Sequence, residues 1–438
     1  MLTTDASTSN IAASEAHAAG PEYLFASAEE MQWWRDAKFG LFVHWGPASL
    51  GGGDISWCRK GPERIGDHQT VVEPQIPADV YDALYREFNP TLFDARQWVE
   101  IVKAAGMKYI VLTAKHHDGF CLWDTRLTQH KSTAPDCPAQ RDIVAELADA
   151  CHDAGIKLGI YYSARDWYHP DYLTENHERY LAFYHAQLLE LLANYGKVDV
   201  LWFDHIGGPL TKWDPDIVLK MARRLQPGIV INNRLHISVN EGRDDRYAAD
   251  FDTPEQELGK YRTDRAWESC LCLVGRVWSY KPGGEMMPLG ECIHAVIACA
   301  GGDGNLLLNT GPMPDGRIEP RQAERLAEVG DWLRRYGESI YGTRGGPYKP
   351  GVWGASTHSG RTIYLHVTSA DVNALELPAF PASILSHRSL NGGIATVGVG
   401  DGRLRIGLAD VVRGEYDTVI ALEVDAEVDS NDPAWFLG

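Results

Sequence analysis

The chain of 438 residues has no apolar run of bilayer-spanning length, so no transmembrane helix is expected. Residues 1–20 are polar and rich in Ala and Ser, with neither a basic n-region nor an apolar h-region, which is not the pattern of a secretory signal. Positive charge is scarce: 41 Lys and Arg stand against 60 Asp and Glu, a formal net charge of −19. A surface of that sign repels phosphate backbones and anionic headgroups, so neither nucleic acid nor a membrane is expected as a partner. The 8 cysteines contain no CxxC pair and no spacing that suits zinc. Several lie inside apolar runs, as buried free thiols of a reducing compartment do. These absences predict a soluble protein, cytoplasmic unless a leader has been trimmed. A homo-oligomer is compatible with the sequence.

Aromatic residues are abundant, with 14 Trp and 19 Tyr. They build cores, and their faces also stack on the apolar faces of sugars. Strand and helix patterns alternate about eight times between residues 27 and 336. Apolar strands are expected at 39–44, 107–113, 156–162, 198–203 and 229–233. A polar segment at 250–255 marks the end of a sixth, and 271–274 and 304–309 fit the last two. This is the pattern of a (β/α)8 barrel. Past residue 345, short runs at 362–368, 374–377, 395–399, 404–408 and 418–424 with turn residues between them predict a small antiparallel β-sandwich. The expected organisation is a disordered tail at 1–25, a barrel at 26–345 and a sandwich at 346–438.

The chemistry-bearing residues cluster after the barrel strands, at one mouth. His44, His116 and His117 follow the first two strands. Two adjacent histidines on an extended chain point to opposite sides, so hydrogen bonding to hydroxyls suits them better than a shared metal. Tyr161, Tyr162, Trp202, Arg234 and Trp278 stand at or near other strand ends, a polar cup with aromatic walls. Asp204 ends the fourth strand and Glu255 follows the sixth. Two carboxylates facing each other about 5–5.5 Å apart are what a retaining glycosidase requires. Asp118, Asp166, Asp250, Glu257 and Glu268 compete for these roles, and Glu268 is the strongest rival as the acid.

Four stretches carry a resemblance: Phe39-Gly-Leu-Phe-Val-His-Trp-Gly46, Lys115-His-His-Asp-Gly-Phe120, Val200-Leu-Trp-Phe-Asp204 and Gly304-Asn-Leu-Leu-Leu-Asn-Thr-Gly-Pro312. Over residues 30–345 the chain resembles the α-L-fucosidases, glycoside hydrolase family 29. The resemblance implies a retaining mechanism with Asp204 as nucleophile and Glu255 as acid/base. It implies that His44, Trp57, His116, His117, a tyrosine of the Tyr161–Tyr162 pair, Trp202, Arg234 and Trp278 bind the sugar of a fucosylated oligosaccharide or glycoconjugate. No metal or organic cofactor is implied. One departure stands out. The family commonly has Glu-Trp after the first strand, where this chain reads Ser56-Trp57. Ser is shorter and neutral, so either sugar choice is relaxed or Asp54, Glu63 or His68 makes the hydroxyl contact. The alternatives to a fucosidase are a retaining hydrolase of another α-L-glycoside, a catalytically silent sugar-binding protein and a histidine-based metallohydrolase.

Overall fold

The computed structural model describes residues 23–62, 67, 71–204, 213–235, 250–429 and 432–435. Two early helix starts show local capping chemistry. Ser27 and Glu30 form a reciprocal capping box ahead of the helix Ala28–Ala37, and the Asp142 side chain accepts from Ala145 N at the start of Ile143–Ala154. Gly155, at φ +68°, ends that second helix in the left-handed conformation, which a residue without Cβ adopts freely.

Eight parallel strands form the barrel: β1 Phe39–Val43, β2 Tyr109–Lys115, β3 Lys157–Ser163, β4 Val200–Asp204, β5 Val230–Ile231, β6 Phe251–Asp252, β7 Ala266–Cys272 and β8 Asn305–Thr310. Their spatial order is β5-β4-β3-β2-β1-β8-β7-β6. Among the described residues a parallel bridge, Asn232 to Phe251, joins the two ends, and Asp250 N donates to Ile231 O at 2.8 Å. The sheet is therefore closed, as expected, although β5 and β6 are only two residues each.

Every residue of β1, β2, β4 and β8 is buried, because helices cover the outside and side chains fill the inside. The pleat sends alternate residues to two different cores. Phe42, Tyr109, Val111, Tyr161, Trp202, Cys270 and Leu307 fill the interior, while Leu41, Ile110, Ile160, Tyr162 and Leu306 pack under the helices. Gly40 belongs to this arrangement: a Cβ there would lie 2.4 Å from Tyr109 Cζ, so the Tyr109 ring crosses the barrel only because position 40 has no side chain.

The seventh strand begins earlier than the expected 271–274. Residues 266–270 were not anticipated as strand because Glu268 and Ser269 interrupt the apolar run, yet both are fully buried. Glu268 pairs in register with Asn305, the first residue of β8, which sets it low in the barrel, away from the mouth.

The C-terminal region forms two antiparallel sheets. The first contains Gly354–Ser359, Thr362–Val367, Thr418–Val424 and Ile384–Ser389 and begins at the short strand Arg344–Gly345. The second contains Ala374–Pro378, Arg403–Val411 and Gly393–Gly400. Their facing sides share one core, including Ile363, Leu365, Leu375, Leu404, Ile406, Ile420 and Leu422. The strands at 354–359 and 384–389 are additions to the expected set. Of the tail expected at 1–25, residues 1–22 lie outside the described residues, while Leu24 is buried in the core that surrounds the barrel.

Candidate active site

Strand register delivers the site. Asp204 is the last residue of β4, and its Oδ2 accepts from Tyr161 OH at 2.7 Å, a hydroxyl sent in from the neighbouring β3. Arg234 sits in the tight turn Asn233–Leu235 immediately after β5. Its Nη1 donates to Asp204 Oδ1 at 2.8 Å and also stands 2.8 Å from Glu255 Oε2. Two such contacts through one nitrogen hold the Asp204 Oδ1 and Glu255 Oε2 atoms no farther apart than both contacts laid end to end, which brings the two carboxyl groups to one site as a retaining pair requires. The Asp204 carboxyl is almost closed off from solvent, at 9 % side-chain exposure, whereas Glu255 keeps 28 %.

The arginine is itself over-determined. Its Nε donates to Thr253 Oγ1 at 2.8 Å, its Nη2 to the Thr253 carbonyl at 3.1 Å, and its guanidinium carbon lies 4.5 Å from the centre of the Trp202 ring. Burial opposes its charge, but the Glu255 and Asp204 carboxylates outweigh burial and raise its pKa, so it remains a cation. Burial, reinforced by the Asp204 charge, pushes the Tyr161 phenol well above its usual range, which keeps that hydroxyl protonated and donating.

The pocket around these groups is lined by Phe42, His44, Trp57, His116, Tyr161, Trp202, Asp204, Arg234, Glu255 and Trp278. Nine of these ten were expected from sequence. Phe42, the tenth, was missed because it reads as an ordinary strand residue, although its two-residue spacing from His44 puts both on the interior face. Larger clefts exist, about 370 Å³ beside the helix Leu289–Gly301 and about 670 Å³ on the outer sheet, but each offers a single carboxylate. The site is identified by its chemistry rather than its size.

His44 gives its Nδ1 to Asn309 Oδ1 at 2.7 Å, and Asn309 Nδ2 in turn donates to Trp278 O at 2.7 Å. Burial pushes the His44 imidazole down to about 4, so it is neutral, with its proton on Nδ1 and an accepting Nε2. Asp54 clamps the same wall: its Oδ1 accepts from the backbone N–H groups of Ile55, Trp278 and Ser279. It therefore positions Trp278, and it is not among the residues that line the pocket. Glu63 and His68 lie outside the described residues. Asn309 and Asp54 were not legible as supports, since their partners lie far away in sequence.

Two expectations need correction, those for Tyr162 and for the histidine pair, and the rival acid Glu268 also lies outside the pocket. Tyr162 does not reach the pocket. It follows Tyr161 on the same strand and so points outward, where its hydroxyl donates to Gln187 Oε1 at 2.7 Å under the helices. Glu268 does not reach it either. It is completely buried beneath the floor, accepting from Tyr109 OH and from Trp202 Nε1 at 3.1 Å, and burial pushes its carboxyl up to about 7. Lastly, His116 and His117 do not point apart. The chain turns there, with Gly119 N donating to His116 O at 3.0 Å, and the two rings lie 4.0 Å apart. His117 stands behind the wall: its Nδ1 meets Ser163 Oγ at 2.6 Å and its Nε2 is 3.7 Å from Asp204 Oδ2.

His116, His117 and Asp204 have candidate ligand atoms within 4.8 Å of one another, a spacing that the sequence argument did not anticipate. Part of that donor set is engaged within the protein, which leaves the two imidazole Nε2 atoms as its candidate ligand atoms. Asp204 already faces the Arg234 cation and the Tyr161 hydroxyl, and both Nδ1 atoms are engaged by serines. Arg234 supplies the positive charge that such a cluster would otherwise draw from an ion.

Known proteins match this chain in sequence and in fold. A family model described as alpha-L-fucosidase matches residues 8–338. Human plasma alpha-L-fucosidase is 30 % identical over 353 residues, which cover 76 % of this chain and 74 % of that protein. Among solved structures, alpha-L-fucosidase isoenzyme 1 from Paenibacillus thiaminolyticus superposes with a TM-score of 0.79 at 33 % identity, covering 91 % of this chain and 99 % of that one. A family 29 alpha-L-fucosidase from Bacteroides thetaiotaomicron, trapped as a covalent intermediate with 2-fluoro-fucosyl fluoride in a glutamate-to-glutamine variant, gives 0.79 at 27 % identity, covering 91 % and 97 %. A sequence match along the whole barrel and a fold match that continues through the C-terminal sheets lead to one conclusion: the chain belongs to the α-L-fucosidase family, glycoside hydrolase family 29.

Proposed function

We propose that this chain hydrolyses terminal α-L-fucosyl residues of oligosaccharides or glycoconjugates by double displacement, with Asp204 as nucleophile and Glu255 as acid/base. The observation that carries the assignment is the single Arg234 nitrogen at 2.8 Å from both carboxyl groups. Asp204 attacks the anomeric carbon while Glu255 protonates the departing oxygen. Glu255 then removes a proton from water, which displaces Asp204 from the glycosyl-enzyme. The exposures fit the roles. The nucleophile needs no solvent, whereas the acid/base must reach the leaving group and then water. His44, Trp57, His116, Trp202 and Trp278 supply hydroxyl contacts and aromatic walls, and Tyr161 and His117 orient Asp204.

The net charge of −19 supports a reading without nucleic acid or an anionic membrane as partner. Among the described residues no helix is long and apolar enough to cross a membrane. All 8 cysteines are buried and free, which supports a reducing, cytoplasmic setting.

A panel of aryl α-L- and D-glycosides, with the first-formed product followed by NMR, tests the function. The fucoside is expected to be cleaved with release of the α-anomer, and release of the β-anomer would overturn the mechanism. Ser56 Oγ is engaged with His116 and Asp118, and neither Ser56 nor Asp54 lines the pocket, so at least one other aryl α-L-glycoside is expected to be cleaved at a comparable rate. Strict fucose preference would refute that relaxation. The tyrosine pair gives a sharper check. Tyr161→Phe removes a hydrogen bond to a charged carboxylate and is expected to lower kcat/KM by about 10–100-fold. Tyr162→Phe, on the outer face, is expected to leave kcat/KM near wild type.

A further inference from the structure

Ser56 stands where the family commonly has glutamate, but it does not idle there. It is fully buried, and its backbone is held in the left-handed region at φ +58°. Three contacts lock it. Its N–H donates to Tyr81 OH at 2.8 Å, Tyr81 donates onward to Asp118 Oδ2 at 2.7 Å, and the Asp118 N–H donates to Ser56 Oγ at 2.9 Å. The same Oγ lies 2.6 Å from His116 Nδ1.

We propose that Ser56 is a positioning residue that fixes His116 as the Nε2–H tautomer, so that the pocket offers a donating imidazole beside the accepting imidazole of His44. The inference rests on the sugar-pocket reading above. Ser56 Oγ already accepts the Asp118 N–H, so its own proton needs an acceptor, and among the described residues the one within reach is His116 Nδ1. A buried hydroxyl that accepted twice and donated nowhere would leave its proton unsatisfied. His116 Nδ1 therefore accepts, and its proton resides on Nε2. His44 is the opposite case: Asn309 Oδ1 can only accept, so His44 Nδ1 carries the proton and Nε2 accepts. The two rings are 5.5 Å apart and both line the pocket. A donor and an acceptor side by side in one pocket can engage two hydroxyls of a sugar ring, one accepting from His116 and the other donating to His44. An ionised glutamate at position 56 has no proton to donate and cannot impose this tautomer.

The test uses protein labelled with ¹⁵N-histidine and long-range ¹H–¹⁵N correlation, with His116 assigned through His116→Gln. At neutral pH, His116 is expected to show an unprotonated Nδ1 and a protonated Nε2, and in Ser56→Gly that preference is expected to disappear. Glycine takes positive φ without strain, so Ser56→Gly removes the hydroxyl without penalising the backbone. It is expected to lower kcat/KM by about tenfold, the size of one hydrogen bond. In the His116→Gln background, where the amide donates without help, Ser56→Gly is expected to add little further loss. A protonated Nδ1 in wild type, an unchanged tautomer in Ser56→Gly, or an undiminished loss in the His116→Gln background would each overturn the proposal. The nitrogen shifts report the tautomer whether or not fucosides are turned over, so failure of the functional reading would be seen separately, in wild-type kinetics.

Discussion

Asp204→Ala is expected to lower kcat by about 10⁴-fold or more while the protein remains folded, since loss of a covalent nucleophile removes the step itself. Among the described residues no other carboxylate takes its place. Glu255 meets Arg234 from the other side, and Glu268 is buried below the floor. Asp204→Asn should be as inactive, because its one amide oxygen can still accept from Arg234 but is a poor nucleophile. The alanine variant leaves a space bounded by the Arg234 cation, and a small anion can occupy it. Added azide is therefore expected to restore cleavage of an activated aryl fucoside and to give the inverted β-fucosyl azide. Near-wild-type turnover in folded Asp204→Ala, or α-azide from it, would sink the assignment.

Glu255→Ala should divide substrates by leaving group. A poor leaving group needs a proton as it departs, so turnover of natural oligosaccharides is expected to fall by about 10²–10⁴-fold. An aryl fucoside with an acidic phenol leaves unaided, and its glycosylation step should survive. Deglycosylation then becomes slow, and azide should accelerate it with retention, giving the α-azide, because Asp204 is still in place. Glu268→Ala is expected to behave differently. Glu268 holds Trp202 through its indole N–H, and Trp202 lies under Arg234, so its loss should harm both substrate classes alike. Leaving-group dependence and α-azide in Glu268→Ala, with neither in Glu255→Ala, would exchange the two roles.

Much of this protein was legible before its fold. Apolar runs of strand length alternating with capped amphipathic helices are local signals, and eight repeats of them admit few architectures besides a closed barrel. Asp204 was legible for the same reason: a carboxylate closing a buried run has no packing role, and parallel strands bring all such ends to one mouth. His44, Trp202 and Arg234 followed from the same placement.

The tertiary structure decided what depends on face and register. In a barrel strand both faces are buried, so Tyr161 and Tyr162 look alike in sequence. Only the pleat, set by pairing with β4, sends the first to Asp204 and the second to Gln187. The same ambiguity hid Glu268. A carboxylate amid strand residues reads as a loop acid, until the register with Asn305 places it low in the barrel, satisfied by a tyrosine and a tryptophan. The adjacent histidines depend on a turn that brings their rings together, and Ser56 on partners 25, 60 and 62 positions away. Composition and periodicity are sums over near neighbours along the chain. A catalytic distance is fixed by contacts between residues far apart in sequence, and these exist only once the barrel has closed.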